Sequence, residues 1–272
     1  VTVDLAADEL AQFGIREKVA IVTGGAAGIG AAVAKLFSRV GASVVIADLD
    51  EVRARGVAEE LCAEGGSAIA VRSDVSNEAD WKALVERTVT QFGSLDVLVN
   101  NAVYRRKADF MTMPIEEWEI MHAVIARGAF MGVREAVRRM IEQGRGGSIV
   151  NISSVSALHP TILNNVHYDS AKAGVEALTR ATAYEFAKHN IRINGIRPGA
   201  TNTAGPASAR AAQNLPVGGP LTQGGIGSWA RIPLGRPAEA IDQARAILFL
   251  ASPASAYITG QFISVDGGFL IG

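Results

Sequence analysis

One cysteine, Cys62, in 272 residues excludes an internal disulfide framework. The few histidines show no mutual metal-ligand spacing, and the carboxylates are dispersed along helix faces, so neither a zinc or other metal site nor a paired-acid centre is expected. Lys plus Arg (26) do not outnumber Asp plus Glu (27), and a net charge of -1 gives no footprint for nucleic acid or an anionic membrane. No apolar run reaches membrane-spanning length. The opening VTVDLAADELAQFG has early acids and no basic region before an apolar core, so no secretory signal is expected. These absences predict a cytoplasmic protein whose partners are small molecules. Cys62, within an apolar helical stripe, is expected in the core.

What the chain has is aliphatic residues and glycine. Hydrophobic residues make up 49%, with 29 Gly besides, which suits a parallel sheet buried on both faces. Strand and helix patterns alternate from Lys18 onward. Strands are predicted at KVAIVT, SVVIAD, AIAVRSD, SLDVLVNNA, GSIVNIS, IRINGIRPG and QFISVDGG. Helices are expected after the first glycine turn, from Asn77 to Phe92, from Ile115 to Gln143, after Tyr168, and near Glu239 to Leu250. The fold class is α/β, a Rossmann-like doubly wound parallel sheet of about seven strands with helices on both faces. Residues 1–17 form an N-terminal extension packed on the surface, residues 18–272 a single dinucleotide-binding and catalytic domain, and residues 204–232 a loop over the substrate.

The first strand breaks into GGAAGIG and then a helix, so Gly24, Gly28 and Gly30 let the backbone approach a pyrophosphate at a helix N-terminus. The second strand ends at Asp48, about 20 residues on, where this fold holds the adenosine ribose with an acid. An acid there repels a 2′-phosphate, and Ala26 and Ala27 bring no positive charge, so NAD is favoured over NADP. The chemistry centres on Asn151 to Lys172. Tyr168 and Lys172, four apart, share one helix face. Bringing a tyrosine from a pKa of about 10 to about 7 takes roughly 4 kcal/mol, and a unit charge about 4 Å away at an effective dielectric of about 20 supplies that much. Ser154, at the end of a buried-strand pattern, offers a hydroxyl to the same reacting oxygen.

TGGAAGIG at 23–30, Asp74 with Val75, NNA at 100–102, the Ser154, Tyr168 and Lys172 set, and PGATNT at 198–203 together resemble the compact single-domain branch of the short-chain dehydrogenase/reductase family. The likeness runs from about Lys18 to the C-terminus. It implies reversible oxidation of a secondary alcohol to a ketone, with Tyr168 as acid/base, Lys172 depressing its pKa and holding the nicotinamide ribose, and Ser154 orienting the substrate oxygen. It further implies cofactor contacts from Gly24, Gly28, Ile29 and Gly30, from Asp48 and Leu49 at the ribose, and from Asp74 and Val75 at the adenine. Asn101 and Ala102 belong to the adenosine side, Pro198 and Gly199 to the nicotinamide ring, and Thr201 and Thr203 to its carboxamide. Homo-oligomers, tetramer or dimer, are usual for similar proteins, with the long fifth and sixth helices forming an interface.

The departures from the pattern carry expectations of their own. Ile125, seven residues after Trp118, replaces the Asn that helps hold a relay water in similar proteins. A carbonyl at Ile125, if the helix is locally distorted, His122, or another polar group would have to substitute. Val103 replaces the Gly that follows NNA. The gap from Ser154 to Tyr168 is one residue longer than the commonest spacing, which keeps Ser156 as a second candidate hydroxyl. Leu158, Leu163 and Trp229, with other apolar residues of the 204–232 loop, either contact an apolar or aromatic substrate or pack a lid. Tyr104 to Lys107 follow the fourth strand, as a solvated basic turn or as a receptor for an anion. A polyol or sugar dehydrogenase, a non-redox member such as an epimerase or lyase, and a nucleotide-binding protein without turnover are the alternatives.

Overall fold

The structure, a computed structural model, describes residues 11–203 and 231–272. Residues 1–10 and 204–230, and with them Trp229 and nearly all of the expected substrate loop, lie outside the described residues. Seven runs rich in β-branched residues form one all-parallel sheet: β1 (Val19–Thr23), β2 (Ser43–Asp48), β3 (Ser67–Arg72), β4 (Val97–Asn100), β5 (Gly147–Ile152), β6 (Ile191–Pro198) and β9 (Phe262–Val265). Their order is β3-β2-β1-β4-β5-β6-β9, and β7 (Thr201–Asn202) pairs separately with β8 (Ala238–Glu239). Val22 is in register with Ile46 on one side and Val99 on the other. The order reverses between β1 and β4, and a crevice opens beyond their carboxyl ends.

The period-two alternation of the strands divides the core into two layers. Val22, Val44, Ile46, Val99, Val150 and Ile196 face α1 (Gly28–Arg39), α2 (Glu51–Ala63) and α7 (Ala240–Ala251), through residues such as Phe37, Leu61 and Leu250. Ile21, Val45, Leu98, Ile149 and Ile193 face α3 (Glu78–Phe92) and α5 (Gly128–Gln143), through Trp81, Leu84, Met131 and Met140. Full burial of a side chain such as Phe37 contributes about 1.5–3 kcal/mol. Asn77 starts α3, its Oδ1 accepting from Ala79 N at 2.8 Å, and Gly93 in the left-handed region ends it. None of the described helices is long and apolar enough to cross a membrane.

Three expectations need correction. Cys62 is exposed, because the buried stripe of α2 is Ala54, Ala58 and Leu61, and one residue further rotates a side chain about 100° off that stripe. The helix expected over 115–143 is interrupted: α4 (Ile115–His122) passes into a π-wound turn, Ala123–Arg127, before α5. The described part of the N-terminal extension, residues 11–17, is more than a surface layer, for Ile15 is buried in the core and Gln12 O accepts from Ala254 N at 2.8 Å.

Candidate active site

The glycine turn is fixed by the strand on the far side of the crevice. Thr23 Oγ1 accepts from Asn101 N at 3.0 Å and Ala102 N at 3.1 Å, and Asn101 Nδ2 donates to Thr23 O at 2.9 Å and Gly24 O at 3.1 Å. Gly24 has φ 62° and lies so near Ala102 that a Cβ would stand 2.9 Å from its Cα. A Cβ at Gly30 would meet Gly24 O at 2.1 Å. Both positions exclude any side chain. The first residue of α1 is Gly28, and its N-cap Ala27 makes no side-chain capping hydrogen bond. Peptide N–H groups at a bare helix start suit a pyrophosphate, so the cradle fits a dinucleotide.

The residues expected at an adenosine include two carboxylates fixed by backbone amides. Asp48 Oδ2 accepts from Ala26 N and Oδ1 from Asp50 N, both at 3.0 Å, which ties the end of β2 to the glycine turn. Leu49 beside it is exposed, while Ile29 is half-buried against the core. Asp74 Oδ1 accepts from Ser76 N at 2.8 Å, and Val75 is buried with its carbonyl accepting from Trp81 Nε1 at 2.9 Å. Across the cleft, Pro198 ends β6, and Gly199 N donates to Val265 O at 3.0 Å. Thr201 Oγ1 donates to Gly199 O at 3.1 Å and accepts from Gln243 Nε2 at 3.1 Å. Thr203 stands where a Cβ on Gly28 would touch it, at 3.3 Å.

The chemistry-bearing side chains lie on α6 (Val166–Phe186) and the end of β5. The buried stripe of α6 runs through Tyr168, Ala171, Lys172, Val175, Glu176 and Thr179, the spacing of one helix face. Lys172 Nζ donates to Ile152 O at 2.6 Å and stands 5.7 Å from the Tyr168 ring centroid. Ser154 Oγ accepts from Ser156 N at 3.1 Å, and its own hydrogen has no acceptor among the described residues. Tyr168 Oη makes no hydrogen bond among them either, although the residue is buried. Ser156 differs: its hydroxyl shares a hydrogen bond with Thr161 Oγ1 at 2.7 Å. Leu158 and Leu163 are exposed.

Burial lowers the Lys172 pKa to about 7, and the nearby Arg105 cation pushes the same way. The ammonium treated above as a constant charge is therefore only half populated near neutral pH without a counter-charge. Arg105 lies with its guanidinium carbon 4.9 Å from the Tyr168 ring centroid, a placement that a basic turn after β4 did not reveal. Two further supports were missed. Glu176, one turn beyond Lys172, receives Arg197 through Nε at 2.7 Å and Nη2 at 2.8 Å, and Ser153 Oγ at 3.0 Å. Asn100 Nδ2 donates to Asn151 Oδ1 and Asn151 Nδ2 to Thr179 Oγ1, each at 2.8 Å. The i, i+4 step from Lys172 was a legible signal for Glu176; the Asn chain had none.

The helix at Ile125 is locally distorted. Gly128 N is shared between Ala123 O and Ile125 O in the π-wound turn, while His122 Nε2 is hydrogen-bonded to Ser170 Oγ at 3.1 Å. Beside the turn is a cavity of about 10 Å³ lined by Thr23, Asn100, Ile125 and Ile152. Asn100 Oδ1, buried, has no hydrogen-bond partner among the described residues. That space is the size of one water, with an acceptor ready for it.

A family model described as enoyl-(acyl carrier protein) reductase matches residues 24–270. The chain is 40% identical over 255 residues to 2,5-dichloro-2,5-cyclohexadiene-1,4-diol dehydrogenase LinX of Sphingobium indicum, covering 94% of this chain and 97% of that one. The protein belongs to the short-chain dehydrogenase/reductase family. This short-chain dehydrogenase/reductase is also 40% identical over 258 residues to a cis-4-hydroxycyclohexanecarboxylate dehydrogenase of Sinomonas cyclohexanicum, with 93% and 96% of the two chains covered. Among solved structures it resembles a 7α-hydroxysteroid dehydrogenase complexed with NADH and 7-oxo glycochenodeoxycholic acid, at a TM-score of 0.86 and 32% identity over 95% of this chain and 96% of that one. It is an oxidoreductase of a family that binds a nicotinamide cofactor.

Proposed function

We propose that this short-chain dehydrogenase/reductase interconverts a secondary alcohol and a ketone on a small, mainly apolar ring, using NAD(H). One observation carries the reading: the hydroxyls of Ser154 and Tyr168, unengaged as donors among the described residues, stand at the carboxyl edge of the sheet with buried Lys172 on the same face of α6 as Tyr168. The nicotinamide, when bound, accepts or supplies the hydride. Ser154 donates to the substrate oxygen and fixes its position. Tyr168 removes the hydroxyl proton in oxidation and returns it in reduction. Lys172 retains N–H donors beyond the one given to Ile152 O, and these hold the nicotinamide ribose beside Tyr168.

The Asp48 carboxylate at the ribose corner supports NAD over NADP, since a 2′-phosphate there meets a negative charge. The ring diol, ring hydroxy acid and hydroxysteroid named for the relatives support a ring alcohol as substrate. We further propose a homo-oligomer assembled through α5 and α6, where Phe130 and Tyr184 are exposed. The test is NADH or NADPH formation by purified protein with a panel of alicyclic, aryl and polyol alcohols. NAD-dependent oxidation of ring alcohols is expected. Turnover confined to sugars and polyols overturns the substrate class, and absence of turnover in either direction, with NADH binding intact, overturns the enzymatic reading.

A further inference from the structure

The loop of residues 103–114 is held in place on two sides. On one, Tyr104 Oη donates to Glu117 Oε2 at 3.2 Å and Arg106 Nη1 pairs with Glu117 Oε1 at 2.5 Å, anchoring the loop to α4. On the other, the Arg106 carbonyl accepts from His167 Nε2 at 2.8 Å, and Ala108 N donates to Asn164 O at 3.1 Å. His167 is fully buried, so this anchor is part of the interior rather than a surface contact. Between the two anchors the frame presents Arg105 to Tyr168, with the guanidinium carbon 4.9 Å from the ring centroid.

Arg105 makes no ion pair within 4 Å among the described residues, whereas its neighbour Arg106 pairs with Glu117. The acid next to Tyr168 in sequence, Asp169, accepts from Asn165 Nδ2 at 2.7 Å; burial raises its pKa while the Arg105 charge acts the other way, so the two are within electrostatic reach without forming an ion pair. The other cation at Tyr168 is Lys172, 5.7 Å from the same centroid. Two basic groups thus flank one phenol, in a chain whose net charge is -1. An exposed guanidinium on a loop anchored at both sides, with no ion pair within 4 Å among the described residues, presents a planar fork suited to a carboxylate.

We propose that Arg105 receives a carboxylate carried by the substrate, so that the preferred alcohol is a hydroxy acid on an apolar ring. The proposal rests on the alcohol-dehydrogenase reading of the same site. Ser154 and Tyr168 hold the hydroxyl, and Arg105, beside the Tyr168 ring, takes the acid. The hydroxyl and carboxylate contacts together fix which face of the carbinol carbon is presented for hydride transfer.

The experiment compares 4-hydroxycyclohexanecarboxylate with its uncharged carboxamide, in the wild type and in Arg105→Gln and Arg105→Lys. The wild type is expected to favour the acid, and Arg105→Gln to lower the acid-to-amide ratio of kcat/KM by about 10- to 100-fold, mainly through KM. Arg105→Lys is expected to restore part of that ratio. Cyclohexanecarboxylate binding to the NADH-bound protein, measured by calorimetry, is expected to weaken in Arg105→Gln in the same proportion. If the wild type oxidises neutral ring alcohols yet shows no preference for the acid, or if Arg105→Gln lowers both rates alike, the Arg105 assignment falls and the dehydrogenase reading stands. If no ring alcohol is turned over at all, both fall together.

Discussion

The Tyr168 hydroxyl makes no hydrogen bond among the described residues, so it has no structural duty to lose. Tyr168→Phe is therefore expected to leave the fold and NADH binding intact while lowering turnover by about 10²–10⁴-fold, the usual worth of a positioned acid/base. Near-normal steady-state rates in that variant, with NADH fluorescence unchanged, would sink the proposed chemistry. Asp48 is tested by cofactor choice. Its Cα partner across β2 and β3 is Arg72, which is exposed. Asp48→Ala is expected to shift the kcat/KM ratio from NAD towards NADP by about 10-fold or more, a charge-pair effect of about 1.4 kcal/mol. An unchanged ratio would mean that the carboxylate serves the glycine turn alone, through Ala26 N.

At the scale of elements, the site depends on how α6 is fixed to the sheet. Glu176 is buried one turn beyond Lys172 and joins three partners: Arg197 of β6, Ser153 at the end of β5, and Arg180 at 3.5 Å. Removing the acid leaves a largely buried guanidinium uncompensated. Glu176→Ala is expected to cost about 3–5 kcal/mol and lower Tm by about 10 °C, with Glu176→Gln recovering part of both. A melt within a degree or two of wild type would show that water replaces the carboxylate. Strands and ordinary helices were legible because each is written in a local period, as in the fully buried VAIVT of β1. The π-wound turn at Ala123–Arg127 was not, because no side-chain period distinguishes it from a continuous helix. It lies in the cluster where Met121, Ile125 and Ala129 pack on Tyr168 of α6.

For the whole molecule, Lys172 sets a pH dependence of stability. Its folded pKa of about 7 lies below the ordinary 10.5, so between those values the unfolded chain binds a proton that the folded chain does not. Stability of the cofactor-free protein from this group therefore rises with pH across that window, by up to about 5 kcal/mol, and is flat below it, where both states are protonated. Lys172→Met removes the contribution. The stability difference, variant minus wild type, is expected to be largest near pH 7 and to shrink towards pH 10 in denaturant titrations. A difference that does not vary with pH would mean that water reaches the Lys172 ammonium.

The amino-acid sequence alone determined what depends on near neighbours: the glycine turn between a strand and a helix, Asp48 at a strand end, and Tyr168 and Lys172 on one face of α6. Each is a short-range pattern imposed by backbone geometry, readable from a few consecutive residues. Tertiary structure decided what joins distant segments. Asn101 locks the glycine turn from 77 and 78 residues away, Arg197 meets Glu176 across a strand and a helix, and Arg105 reaches Tyr168 from another loop. Such contacts leave no mark in local periodicity, because the partner that satisfies or fails to satisfy each charge is chosen by packing.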